Sequence, residues 1–152
     1  MKQLNTYITE KLVIGKNIIH KKIKVSSKKE LKEIIKERLN QDKNADLNDI
    51  DVSEITDMSC LFEQLDPHNI KIDKWDVSNV ENMNGMFYCC KNFNSDLSHW
   101  DVSKVENMNG VFANCINFNS DLNHWNVSKV RDMNCMFAKC QSLKNKPSWY
   151  KD

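Results

Sequence analysis

Residues 93–117, FNSDLSHWDVSKVENMNGVFANCIN, are followed without insertion or deletion by FNSDLNHWNVSKVRDMNCMFAKCQS, and this repetition limits the possible folds more than any other feature. Sliding the chain against itself by 25 residues places Trp75, Trp100, Trp125 and Tyr150 in one column and Val52, Val77, Val102 and Val127 in another. Serine recurs at Ser53, Ser78, Ser103 and Ser128, methionine at Met58, Met83, Met108 and Met133, and phenylalanine at Phe62, Phe87, Phe112 and Phe137. A unit this short cannot enclose its apolar residues alone. It buries them by stacking on its neighbours, and a fixed period of roughly 20–50 residues is the mark of such solenoids.

Within a unit the apolar spacing changes. In LSHWDVSKV the positions Leu97, Trp100, Val102 and Val105 follow an L-x-x-L-x-L pattern, with Trp100 and Val102 on one face of a short strand. Val105, Met108, Phe112 and Cys115 then recur at three or four residues, the spacing of a helical stripe. Ser103 with Glu106, and Ser78 with Glu81, have the form of capping boxes. INFNSD supplies the return turn. The expected fold is α/β, a short right-handed leucine-rich-repeat-like solenoid of strand–helix units.

The register extends upstream, since ADLNDIDVSEITDM aligns with SDLSHWDVSKVENM. Before it, Ile23 and Val25 stand where Trp and Val stand later, and Ser27 with Glu30 opens a helix carrying Leu31, Ile34, Ile35 and Leu39. The expected organisation is a leader or tag over 1–17, a charged helical capping unit over 18–45, and a solenoid over 46–152 made of four copies and a truncated final strand, KPSWYKD.

Charge excludes some partners. The chain's 22 basic and 21 acidic residues nearly cancel, so no general field favours nucleic acid or anionic lipid. No stretch reaches the roughly 18 apolar residues of a membrane span, and the first residues lack the apolar core of an export signal. The expected location is cytoplasmic or phage-associated, with the cell surface as the alternative.

The repeat FNSDLSHWDVSKVENMNGVFANC, with its W-D-V-S, N-M-N-x-M-F and F-N-x-D-L elements, resembles that of BspA-like leucine-rich repeat surface proteins, a mycoplasma-type surface repeat of unknown function. The resemblance spans about residues 45–145. It implies a right-handed leucine-rich-repeat-like solenoid and a role in protein binding or adhesion. LNTYITEKLVIGKN is similar to the short leader of assorted small proteins of gut bacteria and their phages, which implies an address or docking tag.

Chemistry-bearing residues recur with the repeat, which points to scaffold. Cys90, Cys115 and Cys140 share one phase, where small apolar side chains pack, although ladder neighbours at that phase also come near disulfide range. No set of four ligands converges, so neither zinc nor any cofactor is expected. Three glycines in all leave no phosphate loop or nucleophile elbow, and no enzyme activity is expected.

If Trp100 and Val102 face inward, then Lys74 and Asp76, His99 and Asp101, and His124 and Asn126 face outward as a ribbon. Trp149, one residue out of the tryptophan column, is the candidate exposed aromatic. The aspartates also suit a second role, holding the adjacent turns. Two functions follow. One is a monomeric, non-catalytic protein-interaction module that presents the ribbon to an unidentified protein; the other is a structural or surface/adhesion component assembling through its ends.

Overall fold

A computed structural model describes residues 22–151, together with the backbone of two strands, β1 (Lys11–Ile14) and β2 (Asn17–His20), which pair as an antiparallel hairpin. Apart from β1 and the first residue of β2, the expected leader over 1–17 lies outside the described residues. β3 (Ile23–Lys24) leads into helix α1 (Lys28–Gln41) and pairs in parallel with β4 (Ile50–Asp51), Ile23 opposite Ile50.

α1 starts where its sequence dictates. The Ser27 hydroxyl accepts the Glu30 amide at 3.2 Å, and the Glu30 carboxylate accepts the Ser26 amide at 3.1 Å, so one amide of the first turn and the amide just before the N-cap are satisfied. Leu31, Ile34, Ile35 and Leu39 form its buried stripe. The polar side also holds the helix in place. Lys28 reaches Asp57 at 2.6 Å and Ser59 at 2.8 Å, and the Lys32 ammonium donates to the Cys60 carbonyl at 2.6 Å.

From residue 46 onward the chain forms coils of 25 residues stacked in register. Amides of Met58, Met83 and Met108 donate to the carbonyls of Asn82, Asn107 and Asp132 at 2.8, 2.9 and 2.7 Å. Cys60, Gly85 and Gly110 donate to Asn84, Asn109 and Asn134 at 2.9, 2.8 and 2.9 Å; Phe62, Phe87 and Phe112 donate to Met86, Val111 and Met136 at 2.8, 2.9 and 3.0 Å. Along this stretch each coil gives alternate amides to the next, while the amides of Glu81, Glu106 and Arg131 return to the carbonyls of Thr56, Glu81 and Glu106 in the coil before.

The helix expected over Val105–Cys115 does not form; α1 is the α-helix among the described residues. Successive tight turns stand in its place, with amides of Val105, Val111, Ala113, Cys115 and Phe118 each donating to the carbonyl three residues back. The capping box is absent with it. The Glu106 amide goes to the Glu81 carbonyl of the previous coil at 2.8 Å, and the Ser103 amide goes to the Asp101 carboxylate at 3.0 Å. Two left-handed positions recur in each coil, and the first coil has a third at Asp66 (φ 45°). One column holds Cys60, Gly85, Gly110 and Cys135 (φ 52 to 59°), the other Gln64, Cys89, Asn114 and Lys139 (φ 61 to 63°). At Gly110 (φ +59°) an added Cβ would meet nothing nearer than 3.9 Å, so backbone conformation rather than space favours glycine there.

Column identity becomes core packing. Phe87 stacks on Phe112 at 5.7 Å and 4°, Phe112 on Phe137 at 5.8 Å and 4°, and Trp75 on Trp100 at 6.4 Å and 7°. Offset stacks of this kind add about 0.5–1.5 kcal/mol beyond area burial. Each indole donates to the carbonyl of an adjacent coil: Trp75 to Leu47, Trp100 to Ile72 and Trp125 to Leu97, at 2.9, 3.1 and 3.0 Å. Cys90 and Cys115 are buried among these rings, their thiols donating to the carbonyls of Phe62 and Phe87.

Candidate functional site

The alternation read from the sequence sets which side chains reach solvent. Trp75, Trp100 and Trp125 are buried, while Lys74, Asp76, His99, Asp101, His124 and Asn126 are all exposed. These six do not act alike. The Asp76, Asp101 and Asn126 side chains accept the amides of Ser78, Ser103 and Ser128 at 3.1, 3.0 and 3.2 Å, each closing a turn two residues on. Their primary work is structural. The Ser103 hydroxyl and amide hold the Asp101 carboxyl below the usual carboxylate range.

Trp149 requires a correction. It is half-buried, and its indole donates to the Leu122 carbonyl at 2.9 Å, with its ring 6.4 Å from that of Phe137. It therefore closes the tryptophan ladder. One residue is missing before it relative to the earlier copies, and Tyr150, in the nominal column, instead meets Phe137 edge-on at 5.0 Å.

The stacking brings His99 and His124 together. With Asp96, Ser98, Ser120 and Asp121 they line an open cleft of about 610 Å³. A second, of about 350 Å³, continues down the stack from Asp96 and His99 to Asn69, Lys71 and Asp73. Lys74, Asp76, Asp101 and Asn126 line neither of these two clefts. Sequence reasoning missed Asp96 and Asp121, although the D-x-x-H spacing in both copies was the available signal.

The cleft carboxylates are engaged in the turns of the stack. Asp96 accepts the Ser98 amide at 2.9 Å, and Asp121 accepts the Asn123 amide and side-chain amide at 2.9 and 2.8 Å. These bonds, backed by the nearby imidazoles of His99 and His124, hold both carboxyls below their ordinary range. No group of three or more His, Cys, Asp or Glu among the described residues is placed to hold a metal ion. No helix among them is long and apolar enough to cross a membrane.

A family described as "Mycoplasma protein of unknown function, DUF285" matches residues 29–150, most of the chain. The chain belongs to this family. The match starts inside α1 and ends at Tyr150, so it takes in the stacked coils together with most of the helix that seats on them. No curated protein and no solved structure matches the chain.

Proposed function

We propose that this member of the family is a non-catalytic protein-interaction module, a right-handed solenoid of BspA-like, leucine-rich-repeat type. Its binding face is the cleft edged by His99 and His124. The observation that carries this reading is the alternation across the coils: tryptophans locked inward by indole–carbonyl bonds leave the histidines of successive copies side by side at the surface. Imidazole both donates and accepts hydrogen bonds, and a row of such groups on a rigid frame loses little entropy on docking. Stacked repeats offer extended surfaces of this kind to proteins.

Asp96 and Asp121 add negative charge to the cleft, and Lys71 adds positive charge at its lower end. A peptide-like partner of mixed polarity fits this pattern. Asp76, Asp101 and Asn126 support the face by fixing the turns beside it. The test is capture of proteins from bacterial lysate by immobilised full chain, compared with His99→Ala/His124→Ala matched for urea stability. The reading expects the retained proteins to be lost from the double variant; an unchanged set would overturn it.

A further inference from the structure

We propose that the last coil carries a second docking edge, which accepts by backbone pairing an acidic segment of a partner protein that follows the coil's own turns. Each earlier coil gives amides at alternate residues to the next one: Met83, Gly85, Phe87 and Cys89 to the carbonyls of Asn107, Asn109, Val111 and Ala113, then Met108, Gly110, Phe112 and Asn114 to the carbonyls of Asp132, Asn134, Met136 and Ala138. The equivalent amides of Met133, Cys135, Phe137 and Lys139 meet no acceptor among the described residues. This edge presents four amide donors to alternate carbonyls of a segment turned as the coils themselves are.

Side chains at the edge agree. Val127, Val130, Met133 and Leu143 are half-buried, whereas Val102, Val105, Met108 and Phe118, their counterparts one coil earlier, are covered. Trp149 and Tyr150 close over Leu122 and Phe137. Around the edge stand Lys129, Arg131, Lys139, Lys144, Lys146 and Lys151, all exposed, with Asp132 the sole acid among residues 127–151. The charge calls for an acidic occupant.

A second copy of the chain does not fit. Two such edges would set donors against donors and lysines against lysines, while the complementary end of the stack, at Asp57 and Ser59, is covered by α1, whose Lys28 bonds both side chains. This edge is separate from the histidine cleft and does not depend on it.

The test uses isotopically labelled full chain and a synthetic peptide of residues 105–114, VENMNGVFAN, with blocked termini. That segment carries one glutamate, no basic residue and the carbonyls that the ladder already accepts. Binding is expected to move the amide resonances of Met133, Cys135, Phe137 and Lys139, and Arg131→Glu with Lys139→Glu is expected to weaken it roughly tenfold. A scrambled peptide binding equally well, or no shift up to on the order of 1 mM peptide, would overturn the proposal. So would phosphatidylserine vesicles binding where the peptide does not, or a dimer in which these amides are already protected.

Discussion

Replacing Trp100 by phenylalanine measures how far the ladder between coils holds the molecule together. The indole is 4% exposed and donates to the Ile72 carbonyl at 3.1 Å. Losing that bond removes about 1 kcal/mol net. The Ile72 carbonyl keeps the Trp75 amide at 3.1 Å, so no buried acceptor is orphaned and no further desolvation penalty arises. The smaller ring leaves a void beside Trp75 and Phe87 worth roughly another 1 kcal/mol. The expected loss is about 2 kcal/mol. Trp149→Phe removes the same bond at a half-buried position where water can replace the donor, and should cost less than about 1 kcal/mol. Urea unfolding, followed by fluorescence of the remaining tryptophans and by circular dichroism, reads both. The two probes must coincide, because repeat arrays can unfold in stages. A Trp100→Phe variant within about 0.5 kcal/mol of the parent, or one no worse than Trp149→Phe, would refute the reasoning.

Asp101→Asn should be nearly neutral, because Asn126 does the same work one coil later, while Asp101→Ala should cost roughly half a kcal/mol in urea titrations. Asp51 and Asp101 are held below the usual carboxylate range by the hydroxyls and amides of Ser53 and Ser103, so their stabilisation is complete above the unfolded pKa and is lost as pH falls through the lower folded values. Stability should therefore hold steady above about pH 5 and decline below about pH 4, less steeply in Asp101→Asn, as read by urea midpoints against pH. Burial pushes the thiols of Cys90 and Cys115 well up, and that of Cys140 up to about 11. Mass spectrometry after iodoacetamide at pH 8 should find exposed Cys135 alkylated first, with Cys90 and Cys115 modified only on unfolding.

Much of the packing is legible in the sequence because a repeat reports its own core. The columns of Val77 and Val102, Met83 and Met108, and Phe87 and Phe112 are buried as their recurrence implied. The helix α1 was readable too, since Ser27, Glu30 and the apolar stripe from Leu31 to Leu39 all indicate it. The helix inside the repeat was not. Val105, Met108, Phe112 and Cys115 have helical spacing, yet the same spacing arises when successive three-residue turns point every third or fourth side chain inward.

The contrary signals were small polar residues. Asn107 accepts the Asn109 amide at 3.0 Å, and Gly110 and Asn114 occupy left-handed conformations that a helix interior excludes. At the candidate site, exposure of His99 and His124 followed from alternation, whereas Trp149 was misplaced because the final copy is one residue short. The open amides of the last coil could not be read at all, because hydrogen-bond direction between coils is a property of the stack and not of one unit.

The central claim is that coils 25 residues apart are joined amide to carbonyl, and that along Met83–Cys89 and Met108–Asn114 alternate amides all point to the following coil. Amide hydrogen exchange on the full chain, resolved by residue, tests it most directly. The account predicts slow exchange at Met83, Gly85, Phe87, Met108, Gly110 and Phe112, and fast exchange at the corresponding Met133, Cys135 and Phe137. Equal exchange at Phe87, Phe112 and Phe137, or protection running continuously through residues 105–115 as in a helix, would contradict it.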